Sequence, residues 1–504
     1  TSVHAFANDP ARGVFILMIL GFFMGGSLTL FAFRAGSLDA KGVFAMISRE
    51  SALVANNVLL AVSAFVVFIG TIWPLVAELL WARKLSVGAP FFDAAFTPFM
   101  VLIALILPVG SMLPWKRADL GRVLRLLRGV AVLALAVGLL VYAVQTGRSA
   151  LGPVGAALGA WVVMGALVDL VQRAGRGGLS DRLSRLTRLP RADWGKFTAH
   201  SGLGVTIFAV AAMTAWVTED IRVVKVGESF ALGRYEVTLV AVNAGKGPNY
   251  TTTMADMRVS SNGREIAMMH PEKRMYPVQA MPTTEAAIHQ GVFRDLYLVI
   301  GDPQDGGGYA VRSYIKPFAD WIWAGAMLMA LGGALSLSDR RFRAAAGARR
   351  SLRSSPMRAL ILALALIASP AFAVQPGEML SDPALEARAR AISETLRCPV
   401  CQGETIDDSN APISRDLRLA VRERLVAGDS DAQVIDYIVD RYGEFVLFEP
   451  RATGSGLILW LAGPAMLLAG LGVAFATTRK RAAAPEAASL SDDDKARLAD
   501  LMKE

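Results

Sequence analysis

Residues 94–128 read AAFTPFMVLIALILPVGSMLPWKRADLGRVLRLLR. The first 21 carry no charge, and the next 14 carry Lys116, Arg117, Arg122, Arg125 and Arg128. An uncharged apolar run of about 20 residues matches the thickness of a bilayer core. A basic cluster at one end of such a run marks the side on which short loops stay. The pattern recurs, predicting a polytopic α-helical membrane protein with spans near 13–33, 51–72, 94–114, 129–145, 153–172, 197–217, 319–338, 357–373 and 456–476. With 54% hydrophobic and 19% charged residues, the 504-residue chain is too apolar for an ordinary soluble enzyme and too structured for a disordered one.

The net charge of +9 and a pI near 9.7 would by themselves suit nucleic acid. The addresses of the charges exclude that partner. With residue 1 outside, the inner loops 34–50, 115–128, 173–196 and 339–358 and the tail from 477 hold 28 of the 52 Lys and Arg. The short outer segments hold only Arg12, Arg83, Lys84 and Arg148. The excess of positive charge is therefore a topology signal from a chain embedded in lipid. Two long outer segments remain: 218–318, balanced at 11 basic and 11 acidic residues, and 374–455, acidic at 9 against 15.

Residues 218–318 change period. Tyr235–Val242 and Asp295–Ile300 are short, rich in β-branched and aromatic residues, and bounded by Gly, Asn and Asp. Ser261-Asn262-Gly263-Arg264 is a hairpin turn, since Asn-Gly tolerates positive φ. A β-rich, mostly antiparallel domain is expected, with Pro271–Arg274 as a surface turn. Residues 374–455 are helical instead. Leu385, Ala389, Ile392 and Leu396 form one apolar stripe, Ile413, Leu417, Val421 and Leu425 a second, and Val434, Ile435, Ile438, Val439 and Tyr442 a third, giving a three-helix bundle. The expected organisation is six spans in 1–217, the β-rich domain at 218–318, a span and basic linker at 319–356, and a signal-peptide-like or transmembrane segment at 357–373 with small residues up to Ala373. The helical domain at 374–455 and a span with a cytoplasmic tail at 456–504 complete it.

Cys398-Pro399-Val400-Cys401 is the one cysteine cluster. A structural disulfide closing so short a loop would stabilise weakly. Zinc lacks ligands, because the nearest histidine in sequence is His289. Covalent haem attachment would need histidine after the second cysteine, where Gln402 stands. Dithiol–disulfide exchange is the remaining chemistry. Among the histidines, His200 lies at the inner end of a span, where an ionisable group is costly unless paired or liganded. Beside it, Ser201, Gly202 and Gly204 admit either a helix or a flat macrocycle, so His200 reads as an interhelical histidine or a haem ligand. By itself His4 is an ordinary loop histidine, and His270 and His289 read as structural.

Leu396-Arg397-Cys398-Pro399-Val400-Cys401-Gln402, Asp408-Ser409-Asn410-Ala411-Pro412 and Arg441-Tyr442-Gly443-Glu444-Phe445-Val446 resemble the CcmH family of cytochrome c biogenesis proteins. The first two thirds are similar to the C-terminal half of the CcmF family. Ser2–Ala7, Gly25–Leu30, Ser48-Arg49-Glu50-Ser51, Asn56-Asn57, Trp73-Pro74-Leu75, Ser86–Phe92, Pro271–Arg274 and Thr284–Ile288 carry that resemblance. CcmH implies reduction of the two cysteines of an apocytochrome c by Cys398 and Cys401, directly or with a thioredoxin-like periplasmic protein, and leaves open which of the two attacks first. CcmF implies a haem lyase, with His4 as a periplasmic haem ligand and His200 as the transmembrane ligand of haem b. The haem iron is then the only metal, taken by His4 and His200.

The family's tryptophan-rich motif, and one histidine of each haem pair, lie upstream of the first residue here. The upstream CcmF half is therefore expected from another chain or from a missing segment. Apocytochrome c, a haem-delivery chaperone and other cytochrome c maturation subunits are expected beside it. The resemblance places the chain in a bacterial inner membrane with periplasmic domains. The alternative, a membrane-tethered thiol–disulfide electron conduit that handles no haem, would want cysteines within the spans, and none is there.

Overall fold

The computed structural model describes residues 10–34, 44–81, 84–146, 149–175, 177–276, 281–304, 307–339, 378–399, 403–409, 411–454 and 456–482. Helix α1 (Pro10–Arg34) comes first, followed by α2 (Arg49–Trp81), α3 (Ala89–Met112), α4 (Leu120–Val144) and α5 (Leu151–Arg173). A short amphipathic α6 (Leu179–Thr187) and the long α7 (Arg191–Trp216) complete the first part. Helix α8 (Ala319–Leu337) follows the strands, and α12 (Gly456–Ala482) closes the described chain. Seven of these helices (α2, α3, α4, α5, α7, α8 and α12) are long and apolar enough to cross a membrane by length and composition. Within α1, Met18–Arg34 forms a further apolar helical stretch. The segment expected to span at 357–373 lies outside the described residues.

Several helices run past the apolar stretch that marks them. Helix α4 starts at Leu120 rather than near 129, because Arg122, Arg125 and Arg128 end an apolar run without ending a helix. The Asp119 carboxylate caps it, accepting from the Arg122 N–H at 3.2 Å. Contacts between loops sort the helix ends into two sets. At one end Ala45 N donates to Lys116 O (2.7 Å), and Ala192 N donates to the Asp339 carboxylate (3.0 Å). At the other, Thr146 N donates to Ala215 O (3.1 Å) and Trp216 Nε1 to Val144 O (3.0 Å). The basic loops fall in the first set.

Among the described residues, ten strands lie between α7 and α8. One sheet has the order β1 (Thr218–Val224), β10 (Tyr309–Pro317), β9 (Arg294–Pro303), β8 (Ala287–His289). The other has β2 (Ser229–Leu232), β3 (Tyr235–Lys246), β4 (Thr251–Ser261), β6 (Glu272–Tyr276), β7 (Met281–Glu285), with β5 (Arg264–Met269) also on β4. Their inner faces share one core, Val237, Leu239, Met257 and Val259 against Leu296, Leu298, Ile300 and Val311, so the domain is a β-sandwich. Ser261 faces Arg264 across a two-residue turn, with Asn262 at φ 52° and Gly263 at φ 74°. Pro271–Arg274 is not a turn: Glu272–Arg274 pair with Met254–Thr252 of β4. A strand with half-buried charged residues shows no apolar alternation to read.

In the last part, α9 (Pro383–Thr395), α10 (Pro412–Val426) and α11 (Asp431–Tyr442) share a single apolar core with a short 3-10 turn at 444–446. Asp382 caps α9 by accepting from Ala384 N at 2.8 Å, with Pro383 just inside. Ser430 and Gln433 make a reciprocal capping box on α11.

Candidate functional site

Cys398 lies just past the end of α9, where Leu396 and Arg397 turn extended. Backbone bonds on both sides hold this stretch. Arg397 N donates to Val446 O (2.7 Å) and Phe448 N to Thr395 O (3.0 Å). On the opposite edge Ile406 N donates to Leu396 O (2.8 Å) and Cys398 N to Glu404 O (3.0 Å). Cys398 is fully buried in the apolar core and disulfide-bonded. Cys401 lies outside the described residues.

Two ion pairs that apolar patterning does not reveal fix this stretch from below. Arg418 of α10 grips Glu378 with Nε and Nη2 at 2.5 and 2.9 Å, and its Nη1 donates to the carbonyls of Ile406 and Ser409 at 2.5 and 2.8 Å. One turn later Arg422 pairs with Glu386 at 3.0 and 2.5 Å. All four side chains are buried. They sit one position after the apolar pair Leu417 and Val421, so the helix buries a wider face than its aliphatic stripe. Arginines at spacing four on an amphipathic helix, with upstream glutamates, were the available signal.

Around the same stretch, Asp408 accepts from Thr405 Oγ1 at 2.9 Å, and burial pushes its carboxyl above the usual range. Arg397 extends away from Cys398. Its Nη1 donates to Ser86 Oγ at 2.9 Å, and its guanidinium lies 4.2 Å from the centroid of the Phe445 ring. Burial lowers its pKa from the ordinary guanidinium value. Ser86 belongs to the loop between α2 and α3, whose Gly88 N–H donates to Phe448 O at 2.8 Å. The cysteine stretch thus rests on the first part of the chain.

His200 sits on α7, half-buried, beside an open pocket of about 250 Å³ between α2, α3 and α7. Arg49, Asn56, Ser111 and Lys196 supply its polar lining, and Leu53, Ile103 and Ile106 part of its apolar wall. Lys196 pairs with Asp169 of α5, and the Arg49 guanidinium lies over Trp115 at 4.9 Å. The glycines beside His200 serve helices rather than a macrocycle. A Cβ on Gly202 would fall 2.6 Å from Gly325 O of α8, and one on Gly204 would fall 2.8 Å from Gly159 O of α5.

His200 is the one histidine lining the pocket, so the donor set fits a single axial position on an iron, with Arg49 and Lys196 of the sign that carboxylates of a ligand need. The volume is below the roughly 300–1,000 Å³ of enclosed small-molecule sites, so these walls can enclose only part of a macrocycle. His4 lies outside the described residues. His270 Nδ1 is 2.7 Å from the Asp256 carboxylate, and His289 meets Arg294, both on the sandwich. Among the described residues no group of three or more His, Cys, Asp or Glu could hold a metal ion.

Known proteins match both parts. The CcmH family model, described as "Cytochrome C biogenesis protein", covers residues 361–502, and the "CcmF C-terminal beta-sandwich" covers 215–317. The cytochrome c-type biogenesis protein Ccl2 of Rhodobacter capsulatus is 63% identical over 145 residues, which are 29% of this chain and 97% of Ccl2. The chain belongs to the cytochrome c-type biogenesis proteins. Within that family, ccl1 of the same organism is 62% identical over 351 residues, 70% of this chain and 53% of that protein. CcmF of Escherichia coli is 39% identical over 344 residues, 68% of this chain and 52% of its own length. A solved structure titled "Cytochrome c Heme Lyase CcmF" shares the fold, with a TM-score of 0.50 at 24% identity over 65% of this chain and 51% of that one. The chain thus joins a CcmF C-terminal half to CcmH, and spans about half the length of its CcmF-type relatives.

Proposed function

We propose that this chain serves cytochrome c maturation as a haem lyase component that carries its own thiol reductant. It would be a multi-pass protein of the bacterial inner membrane. The domains follow the sequence reading, with the sandwich and the helices of 374–455, a three-helix bundle, on the periplasmic side. One observation carries the reading: the Cys398 stretch, in the part that matches CcmH, is seated on Ser86 and Gly88 in the part that matches CcmF. A tethered reductant is present at an effective concentration of roughly millimolar for a short linker.

As a dithiol, Cys398 and Cys401 would reduce the disulfide of an apocytochrome c. One thiolate attacks, the other resolves the mixed disulfide, and the substrate leaves with two thiols while the chain keeps a disulfide. Two electrons and two protons have then moved to the substrate. A thioredoxin-like periplasmic protein would return the pair to dithiol. Because Cys398 is fully buried, we assign first contact with substrate to Cys401. The test is a trap with a disulfide-bonded peptide: Cys398→Ser should accumulate the mixed disulfide and Cys401→Ser should not.

His200, with Arg49 and Lys196 beside it, would hold haem b, and His4 would hold the haem being delivered. Haem supplies the vinyl carbons that take the substrate thiols as thioethers. That chemistry belongs to the haem held at His4; at the separate haem b, His200 would supply a ligand nitrogen and Arg49 a cation to offset a ligand carboxylate. The upstream CcmF half, a haem-delivery chaperone and other maturation subunits would complete the assembly. An absorbance spectrum of the purified full chain with its partners, before and after His200→Ala, tests the ligand: unchanged haem content would remove His200 from the site.

A further inference from the structure

The two parts of the chain meet through a ring of four alternating charges. Glu219 of β1 pairs with Arg312 of β10 on the outer face of the sandwich, and its other oxygen takes Arg390 Nη1 of α9 at 2.8 Å. Arg390 Nη2 reaches Asp407 at 3.1 Å, and Asp407 lies 3.8 Å from Arg312 Nη2, which closes the ring. Asp407 and Arg312 are buried. Each part contributes one anion and one cation, and each pair is also made within its own part. Burial would raise the Glu219 carboxyl, but Arg312 and Arg390 outweigh it and hold the carboxyl below its usual value.

A second contact lies at the other end of the same stretch. Gly88 donates its N–H to Phe448 O, and a Cβ on Gly88 would collide with the Phe448 ring. Arg397 reaches Ser86, and Phe91 meets Trp460 edge to face at 5.2 Å between centroids. The described residues on either side of position 401 are thus held at Arg397 by the α2–α3 loop and at Asp407 by the sandwich.

We propose that Glu219 and Arg312 are positioning residues for the dithiol, acting through Arg390 and Asp407 to seat the cysteine stretch on the haem lyase part. The proposal rests on the reading of the cysteine pair as the reductant of that part. A flexible tether would set only a concentration, whereas a closed charge ring selects one orientation, because any rotation places like charges opposite each other.

The ring supplies its own control. Glu219→Arg with Arg312→Glu keeps the ion pair on the sandwich but turns both cross-contacts repulsive. Arg390→Glu with Asp407→Arg does the same from the other side. All four together restore the alternation. In the full chain, hydrogen exchange at the peptides containing Gly88 and Phe448 reports seating, and the yield of haem-bearing cytochrome c reports positioning. Either double inversion should speed exchange at both peptides by about tenfold or more, and the quadruple inversion should bring it back to within about twofold. Cytochrome yield should fall and recover with it. Unchanged exchange in both double inversions would overturn the seat. Altered exchange with unchanged yield would overturn the positioning role, while a wrong haem assignment would show in the His200→Ala spectrum and leave the exchange result untouched.

Discussion

Replacing Arg422 by methionine removes a guanidinium from the interior of the helical domain and leaves Glu386 behind. Glu386 keeps the Leu380 N–H at 2.9 Å but loses both charged contacts, at 3.0 and 2.5 Å. Both side chains of the pair are less than a tenth exposed, at 2% and 7%, so solvent cannot take over the abandoned charge. Breaking a buried ion pair from one side costs about 3–5 kcal/mol, whereas replacing both members with neutral groups of similar size is often close to neutral. Arg422→Met should therefore lower the local stability of α10 by about 3–5 kcal/mol, speeding its slow amide exchange by roughly two to three and a half powers of ten. Glu386→Gln with Arg422→Met should recover about 2 kcal/mol or more, because the glutamine oxygen still accepts from Leu380 and no charge is stranded. Hydrogen-exchange mass spectrometry of the full chain, read at peptides from 412–426, measures both. Equal exchange in the single and double variants would refute the argument, since the loss would then come from packing rather than from a stranded charge.

Gly325→Ala would push a methyl group against Gly202 O and Thr206 of α7, so overpacking should cost about 1–3 kcal/mol, seen as a lower melting temperature in detergent. Ser430→Ala removes the capping box and should cost about 1 kcal/mol, confined to faster exchange in the first turn of α11. For Asp408 the folded carboxyl titrates above its ordinary value of 3.8, so its contribution to stability is complete below that value and is lost as pH rises through the folded value. Asp408→Asn should accordingly be more stable than the parent at pH 7, with the difference closing as pH falls towards 3.8; a gain that is independent of pH would refute the burial argument.

Particular elements show what a single sequence can carry. The apolar runs located the helices, but the start of α4 was read late because hydropathy senses the lipid boundary, not the hydrogen-bonded turn. The Asn262-Gly263 turn is legible because its backbone requirement is local, whereas β6 is not, since Lys273 pairs with Asp302 of the opposite sheet and Arg274 with Glu272 and Glu285 of its own. Cys398 stood out by spacing. Arg418 and Arg422 did not, because a charged residue beside an aliphatic stripe reads as solvated until its partner is known. Glu219 and Arg390 are 171 residues apart, and no periodicity links positions so distant. The glycines after His200 were read as room for a helix or a macrocycle, and helices α8 and α5 fill that room.

The same glycines have a mechanical consequence. Helix α7 leads into β1 through Val217 alone, and β10 leads into α8 through Phe318 alone. Below that junction Gly195 and Gly202 lie against Gly332 and Gly325, so the two helices run as a fused stalk, and above it Thr218 and Ile315 begin the pairing of β1 with β10. One-residue joints on both of these paired strands leave little slack. Glu219, just past the Val217 joint, and His200, on the stalk, therefore belong to one continuous run of helix and strand with a single residue between the two elements.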